Sequence, residues 1–238
     1  MPGRLPALVA MTLFAACSND MSVHVRGGDR PPNPEELGPP AHVSRSRGLA
    51  VNGGATVDRF QVALRGMRLQ AAPTDGGADA PGAEYFGPGP YLVDLPANGL
   101  SEGTLTTLIG KYIIGPKSYY EMDINLQPVS ASDVELNPEL APLQGRTFRI
   151  IGTNAHGVPF TVESTMSREL IRPSVYRLGT NHNNLDVNIA PNRWFELPDG
   201  GTLDPADPAA HQQIEENVAA SIDAYEDDNM DGVPDPLG

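Results

Sequence analysis

Between Tyr119 and Val129 the chain reads YYEMDINLQPV. Tyr120, Met122, Ile124 and Leu126 alternate with Glu121, Asp123, Asn125 and Gln127, the period of two that gives a strand one apolar and one polar face. The stretch predicts the central strand of an antiparallel sheet, with one face in a core and the other in water. Few arrangements accept such a strand, and the rest of the chain is read around it.

Strand patterns recur on both sides. Phe60, Val62 and Leu64 share a face, and after Gly66 the apolar phase moves to Met67 and Leu69, the mark of a β-bulge in one long bent strand. Tyr91, Val93 and Leu95 alternate again, and Leu105 to Ile114 is apolar without a clear period. Phe148 and Ile150 lead into the turn Asn154-Ala155-His156-Gly157, and Val158, Phe160 and Val162 lead out, which predicts a hairpin. Further strands are expected at Glu169 to Tyr176 and Leu185 to Ile189. Residues 71 to 90 and 130 to 145 read as loops. Asp207-Pro208 is an N-cap followed by proline at the first helical position, with Ile214, Val218, Ile222 and Tyr225 along one helical face. The fold class is mainly β, an antiparallel β-sandwich of prealbumin-like or immunoglobulin-like type with one C-terminal α-helix.

The chain has 238 residues with 25 Gly and 24 Pro, enough length for a substantial core and many turns. Its net charge of −14 lacks the clustered Lys and Arg that a phosphate backbone requires, which excludes nucleic acid as a partner. Twelve Asp and Glu, with no Lys or Arg, fall between Glu196 and the end, so the acidity is C-terminal.

Cys17 is the one cysteine, and no intrachain disulfide is available. Arg4, an apolar run from Leu5 to Phe14, and Ala15-Ala16 before the thiol have the layout of a secretory signal. An ordinary signal peptide ending beside a chance cysteine accounts for the same residues. The apolar run is too short to span a bilayer as a helix. After the signal, Gly27 to Thr56 is rich in Pro and Gly, as a tether would be. The expected organisation is a signal peptide over 1–17, a tether over 18–56 with a short edge strand at Met21 to Val25, a β-sandwich over 57–203, and a helix with an acidic loop over 204–238.

The acidic loop is the strongest chemical motif. Asp227, Asn229, Asp231 and Asp235 place side-chain oxygens around Gly232, and the Val233 carbonyl adds another, a donor set suited to Ca²⁺. Twelve positions on from Asp227 the EF-hand pattern fails, because Gly238 stands where a bidentate Glu belongs. An acidic tail that only solvates the surface is the plainer account. Trp194 reads either as a core lid or as a platform for stacking a sugar. His182 sits in the polar turn TNHNNLD among ligand atoms, without a metal-site spacing. His24 and His42 have no partner at ligand spacing. No G-x-S-x-G, H-E-x-x-H or Gly-rich phosphate loop is present, so no catalytic residues are assigned.

Phe14-Ala15-Ala16-Cys17 resembles the bacterial lipobox, which implies lipidation of Cys17 and cleavage before it; Ser18 resembles the following residue of lipoproteins sorted to the outer membrane. The runs GPKSYYEMDINLQP and GPGPYLVDL resemble segments of uncharacterised, myxobacterial-type lipoproteins whose domain of unknown function is a prealbumin-like sandwich. Trp194-Phe195, Leu203-Asp204-Pro205 and the Asp-rich ending are similar to that group as well. The terminal loop resembles the calcium loops of thrombospondin type 3 repeats and dockerins. The resemblance implies a secreted, lipid-anchored protein of a Gram-negative envelope, a membrane partner and a calcium-binding loop, and it implies no catalytic residue. Two functions follow as expectations. The first is a non-enzymatic surface lipoprotein, a calcium-stabilised binding or structural module with an envelope glycan or protein as partner. The second is a lipid-anchored carbohydrate-binding module or hydrolase acting on envelope polysaccharide.

Overall fold

The computed structural model describes residues 20–28, 48–71, 83–101, 105–113, 117–178, 183–229 and 234–235. In chain order these form β1 (Asp20–Gly27), β2 (Leu49–Ala50), β3 (Thr56–Ala71), β4 (Ala83–Gly87), β5 (Tyr91–Pro96), α1 (Ala97–Ser101), β6 (Leu105–Ile113), β7 (Lys117–Leu126), α2 (Ala131–Leu136), β8 (Phe148–Thr153), β9 (Pro159–Ser164), β10 (Arg168–Leu178), β11 (Asn183–Ile189), α3 (His211–Ser221) and β12 (Ile222–Glu226). The protein is mainly β, as the alternating patterns predict.

β7 is an interior strand, paired antiparallel with β10 on one edge and β3 on the other. The larger sheet runs β10-β7-β3-β8-β9, and β2, β4 and β5 also pair with the long β3. Gly66 adopts φ +62°, and the β3–β7 register shifts between Arg65 and Arg68, so the bulge read from the apolar phase change is present. A left-handed φ there strains any residue with a Cβ, which is the reason for glycine. A second shift, between Gln70 and Ala71, falls opposite Tyr120. It reverses the phase of β7, so that Tyr119 is fully buried and Tyr120 is 37 % exposed, where strict alternation predicts the reverse. The Asn154 to Gly157 turn closes β8 onto β9, with the Asn154 carbonyl accepting from Gly157 N at 3.0 Å.

The smaller sheet runs β12-β11-β1-β6, and its β1–β11 pair is parallel. This corrects the expected organisation at both ends. β1 is not an edge strand on a tether but lies inside the sheet, bonded to β11 and β6. Met21, Val23 and Val25 bury one face completely, which a solvated linker would not do. At the other end the helix stops at Ser221 and does not run to Tyr225. Ile222 takes extended angles (φ −87°, ψ 116°), and Ile222 to Glu226 pair with β11 as β12. Ile222 and Tyr225 therefore belong to a strand, and residues 208–226 are part of the folded domain. The loop expected at 130 to 145 contains α2, held by a capping box in which Ser130 Oγ accepts from Asp133 N and the Asp133 carboxylate accepts from Ser130 N.

One continuous core joins the inward residues of both sheets, among them Val23, Phe60, Ile124, Phe148, Val187 and Trp194, with Ile214 and Val218 of α3 added from the side. Among the described residues no helix is long and apolar enough to cross a membrane.

Candidate functional site

Alternation along β1 puts Ser22, His24 and Arg26 on the face opposite Met21, Val23 and Val25. On β11 it does the same for Asn184, Asp186 and Asn188. The parallel register sets Ser22 beside Asn184, His24 beside Asp186 and Arg26 beside Asn188. All seven residues of β11 are buried, so this polar face is covered rather than bathed in water. Arg26, the last of the β1 residues on this face, is 5 % exposed, with Asp186 and Asp227 at 1 % and 0 %. Its Nε stands 3.2 Å from Asp186 Oδ2, and its Nη2 donates to Asp227 Oδ2 at 3.3 Å.

Two carboxylates thus share one guanidinium out of reach of water. If both ionise the cluster holds an uncompensated negative charge, which a low-dielectric site disfavours strongly. A retained proton resolves the conflict. Burial pushes Asp186 up to about 7, Arg26 opposes the shift, and the neighbouring Asp227 carboxylate adds to it. The cluster joins the first strand to the last, and Asp227 N donates to the Asn184 carbonyl at 3.0 Å to continue the β11–β12 pairing by one residue.

The acidic loop begins at this cluster. Asn184 N donates to Asp228 Oδ1 at 2.9 Å, and its Nδ2 donates to the Asp228 carbonyl at 3.1 Å. Asp228 N donates to Asp235 Oδ2 at 2.6 Å, and Asp235 N donates to the Glu226 carbonyl at 2.9 Å, so the ends of the segment meet. Of the five expected calcium ligands, Asp227 is turned inward onto Arg26, whereas Asn229 is exposed and Asp235 half-buried at the closed ends. Asp231 and Val233 lie outside the described residues. Among the described residues no group of three or more His, Cys, Asp or Glu is placed to hold a metal ion.

Cys17 and His182 also lie outside the described residues. Trp194 is wholly buried, its ring centroid 4.7 Å from that of Phe60, and its Nε1 donates to Ser221 Oγ at 2.8 Å. It is a core residue and offers no face to a sugar. The spare polar atom of an indole is satisfied inside the fold, as burial requires.

A cavity of about 560 Å³ opens beside Trp194, where the chain after β11 meets α3. Asn52, Asn192, Arg193, Asn217 and Ser221 line it. Much of this lining is already bonded: Asn217 Nδ2 donates to the carbonyls of Trp194 and Glu196, Asn52 Nδ2 donates to Glu196 Oε1, and Ser221 Oγ donates to the Val218 carbonyl. The exposed guanidinium of Arg193 stands at the rim. Nothing in the local sequence marks this cavity, because its residues come from three separate stretches.

The outer face of the larger sheet carries a ladder of ion pairs along β3. Arg59 bonds Asp94 of β5, Arg65 bonds Asp133 of α2, and Arg68 bonds the fully buried Asp123 of β7 and also Glu169 of β10. Burial raises the Asp94 carboxyl, but the hydrogen bonds from Arg59 and Gln61 outweigh it and hold the group below its ordinary value. The polar face of this sheet is thus stitched to its neighbours strand by strand.

Comparison with protein-family models, with curated proteins and with solved structures finds no match to this chain.

Proposed function

We propose that this chain is a non-enzymatic lipoprotein of the Gram-negative cell envelope, anchored at the outer membrane through acylated Cys17. Its folded part is a β-sandwich that serves as a binding or structural module and is stabilised by Ca²⁺ at the acidic loop through Asn229, Asp231, Val233 and Asp235, the expected ligands other than Asp227, which is turned onto Arg26. The reading is carried by how the buried acids are used: Asp123, Asp133, Asp186 and Asp227 each lie against a guanidinium that ties one element to another. Acid–base chemistry needs a carboxylate that meets substrate in a cleft. These four meet strands instead. The anchor is tested by fractionating cells that express the full chain and Cys17→Ala. Wild type in the membrane fraction and the variant in the soluble fraction support it, and an unchanged distribution refutes it.

The cavity favours a second reading, a lipid-anchored module that binds envelope polysaccharide. Amide, hydroxyl and guanidinium groups at its wall match sugar hydroxyls and carboxylates in hydrogen-bonding type. Titration calorimetry with solubilised envelope polysaccharide checks this, since Asn192→Ala and Arg193→Ala then weaken binding. Equal heats from wild type and both variants exclude the cavity.

A further inference from the structure

The register of β1 determines how an anchor at Cys17 meets the domain. Only Ser18 and Asn19 stand between Cys17 and Asp20, the first residue of β1. An extended chain spans at most about 3.6 Å per residue, so the Cα atoms of Cys17 and Asp20 are no more than about 11 Å apart. Nor is β1 a detachable arm. It is hydrogen-bonded on both edges, its apolar face is fully buried, and Arg26 on its other face holds Asp186 and Asp227.

We propose that the end of the smaller sheet bearing Asp20 lies against the lipid bilayer, and that the asparagine-lined cavity faces away from it. This deepens the anchoring reading above and rests on it. Asp20 pairs with Ile113 at the end of β6, and Met21 pairs with Asn183 at the start of β11. Glu226 ends β12 on the same side, and its Oε2 accepts from Arg177 N of β10 at 2.9 Å. The membrane-facing end therefore carries the exposed residues Lys111, Arg177 and Asp228. Both signs of charge are present, so the short covalent reach, and not a charged patch, holds this end to lipid. β11 then runs away from the bilayer for about 20 Å at about 3.3 Å per residue. It ends at Ile189, and Asn192, just beyond, binds Asn52 across the mouth of the cavity through Asn52 N and its own carbonyl at 3.2 Å.

Cys17 is the one cysteine, and acylation blocks it, so a second thiol can be labelled alone. Lys111→Cys and Arg193→Cys, each purified as the acylated full chain and carrying the same fluorophore, are reconstituted into vesicles of phosphatidylethanolamine and phosphatidylglycerol with a quencher on a fraction of the headgroups. The expected result is loss of most of the fluorescence at position 111 and little loss at position 193. Inserting about twenty Gly and Ser residues between Asn19 and Asp20 supplies a coil of about 25 Å and should abolish the difference. Acylated protein in which both positions are quenched alike, or in which the insert changes nothing, overturns the orientation while leaving the anchor intact. Protein without acyl chains on Cys17 by mass spectrometry overturns both.

Discussion

Arg26 and Asp227 stand 201 positions apart in the chain and meet at 3.3 Å in the interior of the smaller sheet. The contact makes the two ends of the molecule depend on each other. The first strand, β1, and the strand that leads into the acidic loop are held by one guanidinium, with Asp186 of β11 as its second partner.

Arg26→Met keeps an unbranched apolar stem, though a shorter one, and removes the guanidinium that lies against Asp186 and Asp227. Removing one partner of a buried cluster costs about 3–5 kcal/mol. Urea unfolding at pH 7 should show a loss of that size. A loss below about 1 kcal/mol, within the range of an exposed pair, would mean that the cluster is wetter than its burial indicates.

The same cluster makes stability depend on pH. Asp186 has a folded pKa of about 7 against an ordinary value of 3.8, so the folded state binds its proton more tightly than the unfolded chain does. Its contribution is fully present below about pH 4 and is lost as pH rises through about 7. Asp94 and Asp133, both held low, act in the opposite sense and weaken the fold only under more acidic conditions. Between about pH 5 and 8, wild type should lose stability and Asp186→Asn, neutral at every pH, should lose much less. Parallel unfolding midpoints for the two proteins across that range would contradict the shared proton.

Much of the fold was legible because its signals are local. β7, the bulge at Gly66, the β8–β9 hairpin and the Asp207-Pro208 start all follow from alternation or turn chemistry within a few residues, and Asp207 Oδ1 does accept from Ala209 N at 2.9 Å. The capping box of α2 was equally local, with Asp three residues after Ser130, and the two prolines of the segment hid it. β1 shows how a readable pattern can still mislead. Met21, Val23 and Val25 alternate plainly, but its partner β11 lies about 160 residues on and its other neighbour is a strand without clear period. Composition after Gly27 made a tether of it. The Arg26–Asp186–Asp227 cluster was not legible for a further reason. Alternation assigns polar residues of a strand to water, and only the covered second face of this sheet reverses that.

Ile124 and Asn125 test the register of β7. Ile124 is fully buried, and Ile124→Ala should cost about 2–5 kcal/mol. Asn125 faces the other way, where its Nδ2 donates to the Gly66 carbonyl at 3.1 Å across the bulge. Asn125→Ala should cost about 0.5–1.5 kcal/mol, the net value of one hydrogen bond. Equal losses in denaturant unfolding would place the strand in the wrong register.

The proposed calcium site is tested on the crowded acids at the end of β12. Burial raises the Glu226 carboxyl, the backbone hydrogen bond from Arg177 lowers it, and Asp228 and Asp235 raise it further, the pattern of carboxylates pressed together. Extracellular calcium modules bind with Kd of about 10⁻⁴ to 10⁻³ M. At the weak end ~10 mM Ca²⁺ adds about 1.4 kcal/mol. The melting temperature should rise with Ca²⁺ at fixed ionic strength, less with Mg²⁺, and not at all in Asp231→Ala. The same rise in the variant would reduce the effect to screening of an acidic tail.

That β1 belongs to the folded domain, and so binds any anchor at Cys17 closely to it, is tested most directly by hydrogen exchange. Amides inside a central strand open only with free energies approaching that of global unfolding, whereas those of a linker exchange at the rate of free chain. The measurement is exchange of a peptide covering residues 20–28 in the Cys17→Ala protein, set beside one covering β11. Protection of the two peptides at the same level is the predicted result. Exchange of 20–28 at the rate of unstructured chain, with β11 still protected, would return the segment to a tether and remove the basis for a domain pressed against the membrane.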